Sequence, residues 1–389
     1  MSQKTKKDRY HVITLPGDGI GPEVTTQAVR ALEVAAKREG VAFQLEEIQG
    51  GGEHYLAHGV EWAEGSERRV AAADALLLGA VGADDPTTKR SVFTKPGKPY
   101  PTSELAGYAL VIGNRKRLDL FVNHRPIRLL PGVRHKVSGK FMDIWEPGQV
   151  DYVVCRENTE DAYSGKTVEM KDGEGRVVGK TTAIEITRAA TERVCRYAFA
   201  LARERKKRGR PGKVTCVTKS NIIGAHKYFE DVYREVGKAE FPDIEQDTSL
   251  FDAFCMWQIR NPEWFDVVVA PNLVGDVISD NGSTTQGGMG MAAGGNIGDR
   301  HGMFEPIHGS APKYRGQDKV NPMAAVLSAA MMSEWLAGQH GDERLRRVAT
   351  RLEEAVAAVL LDAKTLTYDL GGEAACSAVG SAICEKIAK

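Results

Sequence analysis

Asp276 and Asp280 stand four residues apart in NLVGDVISD (272–280), a stretch otherwise made of small and apolar residues. In a helix that spacing stacks two carboxylates on one face, where they repel unless a cation lies between them. The stretch therefore asks for a cation. The plainer alternative is an N-cap aspartate followed by an exposed one. Two glycine clusters raise a second chemical question. LPGDGIGPEV (15–24) suggests a dinucleotide loop, but its glycines fall as G-x-G-x-G and not as G-x-G-x-x-G. GGMGMAAGGNIGD (287–299) reads first as a flexible loop and second as a place where backbone approaches a ligand. Neither cluster alone identifies a nucleotide site.

The remaining reactive residues narrow the chemistry. Cys155, Cys195, Cys216, Cys255, Cys376 and Cys384 form no C-x-x-C pair and no zinc-type Cys/His spacing, so they read as reduced structural thiols in a cytoplasmic protein. The 389 residues carry 52 basic and 52 acidic side chains, a formal net charge of +0, which gives no field favouring nucleic acid or an anionic membrane. MSQKTKKDRY (1–10) is basic but leads into no apolar run of signal-peptide length, and no stretch approaches a membrane span. The basic run RERKKRGRPG (203–212) reads as a solvated helix end.

The elements that must position these residues alternate. YHVITL (10–15), DALLLGAV (74–81), DYVVC (151–155), KVTCVT (213–218) and DVVVA (266–270) are short β-branched runs bounded by turn formers, as buried strands are. Helix-like segments fill the gaps, one from Gly21 to Gly40 and one from Pro322 to Gly338. The alternation predicts a doubly wound α/β protein, and the length predicts two lobes. VEMKDGEGRVVGKTTAIEI (168–186) breaks the pattern with a turn signal between two β-prone arms, and predicts a hairpin leaving the body.

LPGDGIGPEV, NHRP, RENTEDAYSG, TKSNI, NLVGDVISD, HGSAPKY, DKVNP and TYDLGG occur in the order found in the decarboxylating 3-substituted-malate dehydrogenases, the family of isocitrate and isopropylmalate dehydrogenases. The resemblance runs from about Tyr10 to the C-terminal helix. It implies an isopropylmalate-dehydrogenase-like doubly wound α/β/α sandwich. Residues 1–119 with 283–389 would form a large cofactor-side domain, and 120–282 a small domain with a clasp arm of about 165–187 at a dimer interface. It further implies oxidation of a malate-type hydroxyl by hydride transfer, then loss of carbon dioxide with a divalent metal on the developing enolate oxygen. Asp252, Asp276 and Asp280 match the family's metal carboxylates, and three hard oxygen donors suit Mg²⁺ or Mn²⁺.

Arg115, Arg125 and Arg156 match the family's arginines for the malate carboxylates. Tyr163 and Lys219 match its acid–base pair, with the lysine and one aspartate reaching into the partner's site of a homodimer. Glu305, His308, Gly309, Ser310, Ala311, Lys313, Tyr314, Val320, Asn321 and Tyr368 match its cofactor residues. Lys313 and Tyr314 stand where NAD-specific members place an aspartate for the ribose, so the pattern resembles the NADP-linked isocitrate dehydrogenases, with NAD as the alternative. Gly372 departs from it, standing where bacterial NADP enzymes carry an arginine.

NADP-dependent isocitrate dehydrogenation is thus the leading expectation. Ala109 and Val111 occupy positions where isocitrate enzymes offer a serine and an asparagine, and GYALVIGNRKR (107–117) is apolar as in isopropylmalate dehydrogenases. NHRPIRLLPGV (123–133) is similar to tartrate and D-malate dehydrogenases. TKRSVFTKPGKPYPTSE (88–104) reads as a solvated loop, with service to a polar or phosphonate group as the alternative. A silent regulatory subunit is the rival from another class, which turnover by the single chain would exclude.

Overall fold

The computed structural model describes residues 6–100 and 102–389, so the first five residues of the basic start and Pro101 of the 88–104 segment lie outside the described residues. The chain divides into two compact units. The first holds Met1–Leu120, Leu129–Pro147 and Ser283–Lys389, and the second Phe121–Arg128 and Gly148–Gly282. Residues 129–147, expected in the second domain, therefore belong to the first. The reason lies partly in Gly132, whose φ of +87° and lack of a side chain let the backbone pass against Leu360.

In the first unit, strands Tyr10–Gly17 and Ala75–Ala80 pair in parallel, flanked by Phe43–Glu47 on one side and Gly302–Pro306 on the other. Ala293–Ile297 pairs antiparallel with Gly302–Pro306. The predicted loop 287–299 thus contains a buried strand. Its glycines mislead because Phe304 lies against Gly295 and takes the space of a side chain. Ile13, Leu15, Leu76, Leu78 and Met303 join Trp62, Val70 and Leu110 in a buried core, and helix Gly21–Glu39 approaches the strands at Gly79, where a Cβ would lie 2.6 Å from Thr25. That helix ends as read, on Gly40 at φ +66°. The later helix passes Gly338 and runs from Met323 to His340, because the left-handed residue that ends it is Gly341.

The loop 88–104 differs from a plain solvated one. Its Lys and Arg side chains are exposed, but Thr94 and Tyr100 are buried, and Tyr100 Oη accepts from the Glu61 peptide N–H at 2.8 Å.

The second unit orders its strands Glu245–Leu250, Lys213–Thr218, Val267–Ala270, Asp151–Glu157 and Val122–Arg128, all parallel except the last. The clasp hairpin pairs Thr167–Lys171 with Val177–Thr182, and carries exposed Val168, Met170, Val177 and Val178. All six cysteines are free. Among the described residues no helix is long and apolar enough to cross a membrane.

One knot in the first unit carries a stability prediction. Asp342 caps helix Glu343–Asp362, accepts from Arg344 Nη2 at 2.6 Å and from Tyr10 Oη at 2.9 Å, and is almost fully buried. The Arg344 guanidinium, opposed by burial, holds its carboxyl down at about 2. Asp342→Ala is expected to cost roughly 2–4 kcal/mol in urea unfolding at neutral pH, from the lost cap and a stranded Tyr10 hydroxyl. A folded-state value below the unfolded one gives stability that is present above about pH 4 and lost as pH falls through about 2. The gap between wild type and Asp342→Asn should therefore narrow across that window; a constant gap would show that the charge is not what stabilises.

Candidate active site

In the second unit the chemistry collects at the carboxyl ends of parallel strands, where open α/β sheets bind ligands. Arg156 stands near the end of Asp151–Glu157, and helix Asn272–Ser283 follows Val267–Ala270. Gly275 lets that helix close on the strand, since a Cβ there would lie 2.6 Å from the Arg156 side chain. Arg156, fully buried, donates from Nη1 to Asp276 Oδ1 and from Nε to Asn272 Oδ1 at 2.9 Å. Arg125 Nη1 lies 2.7 Å from Ser279 Oγ, 3.0 Å from Asp280 Oδ1 and 3.3 Å from Asp276 Oδ1. Tyr163 donates its hydroxyl to Asp276 Oδ2 at 2.5 Å, and its ring lies 5.0 Å from the Arg156 guanidinium.

Five of the expected residues, Arg125, Arg156, Tyr163, Asp276 and Asp280, are thus drawn together. Burial, the largest influence, pushes the Asp280 carboxyl up; Arg125 opposes it, and Asp276 adds to it through like-charge repulsion. Two carboxylates on one helix face, one of them reluctant to ionise beside the other, suit a hard divalent cation. Asp252 and Lys219 are placed otherwise. They leave the ends of the adjacent strands Glu245–Leu250 and Lys213–Thr218, and Lys219 Nζ donates to Asp252 Oδ1 at 2.7 Å. Among the described residues no three His, Cys, Asp or Glu side chains gather as a metal site, so the aspartate trio is not assembled within one chain.

The first unit holds the expected cofactor residues. A cavity of about 480 Å³ is lined by Ile20, Gly287–Gly290, His308, Gly309, Ala311, Tyr314, Val320, Asn321, Tyr368 and Asp369. Three expected residues lie outside its lining. Ser310 is turned away, donating to Gly82 O at 2.5 Å while its carbonyl accepts from Ile20 N at 2.9 Å. Glu305 pairs with Arg115 at 3.3 Å and accepts from Asn296 Nδ2 at 2.8 Å. Lys313 lies at 4.8 Å over the Tyr314 ring.

Gly19 explains the G-x-G-x-G cluster: at φ +59°, a Cβ there would lie 2.1 Å from Ser310 O. These glycines permit one loop to cross another. The cavity also takes in the glycine run 287–290, for which approach to a ligand was the second reading, and Asp369, to which the motifs gave no role, and Lys319 stands beside its two tyrosines. Lys319 lies 6.0 Å from the Tyr314 ring and 5.2 Å from that of Tyr368. Its adjacency to Val320 was a signal, but only the fold turns its ammonium toward both phenols. Burial lowers the His308 pKa and favours the neutral ring, whose Nε2 has no partner among the described residues. Arg115 Nε is likewise buried and unpartnered. His308 Nδ1 lies 3.1 Å from the Gly309 carbonyl, so the neutral ring keeps its proton there and Nε2 offers an acceptor to a ligand's hydrogen-bond donor, whereas Arg115 Nε offers a donor that suits an anion.

The comparisons with known proteins put the chain among the decarboxylating dehydrogenases. It belongs to the isocitrate/isopropylmalate dehydrogenase family, whose sequence model matches residues 11–383, and use of a metal and of NAD or NADP is general to that family. It is 36% identical to a 3-isopropylmalate dehydrogenase of Thermobifida fusca over 394 residues, spanning 100% of this chain and 99% of that one. A decarboxylating D-malate dehydrogenase of Escherichia coli is 34% identical over 381 residues, spanning 97% and 98%. The crystal structure of an isocitrate dehydrogenase from Methylococcus capsulatus superposes with a TM-score of 0.81 at 30% identity, spanning 98% of this chain and 100% of that one.

Proposed function

We propose that the chain catalyses the NADP-linked oxidative decarboxylation of a 3-substituted malate, as a homodimer with shared sites. The observation that carries this reading is the convergence of Arg125, Arg156 and Tyr163 on Asp276 and Asp280. Arg125 and Arg156 bind malate carboxylates, their forks matching paired oxygens, and Arg115 is the third arginine that the family resemblance assigns to that task. When bound, a Mg²⁺ or Mn²⁺ held by Asp276, Asp280 and a partner's Asp252 supplies Lewis-acid stabilisation of charge on the substrate oxygen, and the nucleotide supplies hydride acceptance. Lys219 takes the hydroxyl proton as hydride leaves the carbinol carbon. Tyr163 returns a proton to the carbon that has lost carbon dioxide. The pairing of Lys219 with Asp252, apart from the other two aspartates, supports sharing between subunits, as do the exposed valines of the clasp.

Isocitrate is the first substrate on the strength of the nucleotide loop. One observation favours 3-isopropylmalate as a second reading: Ala109 and Val111, where a polar reader would stand, pack against the apolar core. A screen of isocitrate, 3-isopropylmalate, D-malate and tartrate against both nucleotides, with Mn²⁺ present and reduced cofactor followed by absorbance, tests the reading. Turnover of none of them by the purified single chain would overturn it.

The metal assignment has its own test. Asp280→Asn is expected to weaken Mn²⁺ binding by about tenfold or more, as loss of one charged oxygen ligand should, and to lower turnover with it. Calorimetric Mn²⁺ titration checks the first half independently of activity. Unchanged binding would remove Asp280 from the site.

A further inference from the structure

His226 is a buried, titratable side chain in the second unit to which the roles above give no work. It is the third residue of helix Gly224–Glu240 and only 3% exposed. Its Nδ1 lies 3.1 Å from the backbone nitrogen of Lys219. A peptide N–H can only donate, so Nδ1 is the acceptor and the proton of the neutral ring sits on Nε2. The Lys219 carbonyl accepts from Ile222 N at 3.2 Å and Ile223 N at 3.0 Å. Both polar atoms of the Lys219 backbone are therefore held, one by its own turn and one by a side chain from the following helix. Burial pushes the His226 pKa down, which preserves the accepting form, while the Asp161 charge pulls the other way.

Asp161 performs a matching task for the tyrosine. It is buried, and its φ of +71° places it in the left-handed region that a residue without a stabilising contact avoids. Its Oδ1 accepts from Ala162 N at 2.7 Å and its Oδ2 from Leu273 N at 2.8 Å. The turn Asp161–Tyr163 is thereby tied to the start of helix Asn272–Ser283, which carries Asp276 and Asp280. The ties behind the lysine and the tyrosine are thus both buried polar side chains, close enough to act on one another electrostatically.

We propose that His226 is a positioning residue for Lys219, its Nδ1 fixing through the lysine's own peptide N–H the turn from which the ammonium group reaches the substrate. The inference rests on Lys219 being the proton acceptor assigned above. A lysine on a turn released at one backbone atom samples more positions. A misplacement on the ångström scale costs about a hundredfold where proton transfer needs a set geometry.

The test compares His226→Asn, His226→Gln and His226→Leu in the full-length protein, assayed with NADP, Mn²⁺ and whichever of isocitrate, 3-isopropylmalate and D-malate wild type turns over fastest. Asparagine places an acceptor oxygen where Nδ1 stands, glutamine places one near Nε2, and leucine places none. His226→Gln and His226→Leu are expected to lose about ten- to a hundredfold in kcat with substrate KM within about twofold, and His226→Asn to stay within about threefold of wild type. Rescue by asparagine alone is the readout that a merely structural histidine would not produce. Equal rates for the asparagine and glutamine variants, whether both low or both normal, overturn the proposal. That comparison stands even if the leucine variant fails to fold. Lys219→Met in the same series separates the two failures: wild-type turnover there would overturn the assignment of Lys219 itself.

Discussion

Lys219→Met is expected to lower kcat by about a thousandfold, within the range that general acid–base groups contribute, while leaving the fold and substrate binding nearly intact. The lysine emerges from the end of a core strand and touches Asp252, with no place in the Arg125–Arg156–Asp276 cluster, so its loss should not disturb the two arginines proposed to bind substrate. A steady-state split with kcat down and KM little changed is the first check. The second uses subunit sharing. If Lys219 serves the site whose Asp280 belongs to the partner, a dimer of one Lys219→Met chain and one Asp280→Asn chain contains one intact site and one doubly damaged site. Random remixing of the two inactive homodimers should then restore about a quarter of wild-type activity. No recovery after verified exchange would place the lysine and the aspartates in the same subunit's site, and would remove the reason for a dimer from the mechanism.

How far the sequence carried depended on the range of the interaction that decides each feature. The Asp276–Asp280 pair was legible because an i, i+4 spacing on a helix is a local fact, and helix Asn272–Ser283 presents the pair together. The five β-branched runs were legible for the same reason. Glycine was where local reading failed, because one residue type serves three different ends here. Gly341 stops a helix by adopting φ +65°, whereas Gly338 three residues earlier does not. Gly295 sits in a buried strand against Phe304, and Gly19 lets one backbone cross another. Composition cannot separate these cases.

At the candidate site, the motifs carried the cations and carboxylates that gather around Asp276. They were silent about Lys319, Asp369 and His226, whose placement depends on loops far apart in sequence. Ser310 shows the converse, a motif residue whose side chain serves the loop crossing at Gly82 and leaves the cavity to its neighbours.

Lys313→Asp combined with Tyr314→Ile is expected to swing cofactor preference from NADP toward NAD by about a hundredfold or more in the ratio of kcat/KM values, mainly through KM for NADP. The 2′-phosphate carries close to two negative charges near neutral pH, so it is drawn to cations and to hydrogen-bond donors. Lys313 lies over the Tyr314 ring, and Lys319 stands near both Tyr314 and Tyr368, whose ring centroids are 5.9 Å apart. The two phenols and two ammonium groups make an electropositive rim at the cavity that holds Asn321 and His308. The Tyr314 hydroxyl is pulled below its ordinary pKa by its hydrogen bond with Tyr368 and by the charge of Lys313, which makes it a better donor to phosphate. A charge-assisted hydrogen bond contributes roughly 1.5–3 kcal/mol, or about ten- to a hundredfold in affinity, and an aspartate in place of Lys313 adds repulsion to that loss. NAD lacks the phosphate and should lose much less. Lys319 keeps an ammonium group beside both phenols once Lys313 is gone. Lys319→Met added to the double variant should therefore extend the swing, with its further effect confined to NADP. Wild-type enzyme that already prefers NAD at saturating substrate would instead show that two ammonium groups and two phenols do not hold the phosphate without a guanidinium beside them.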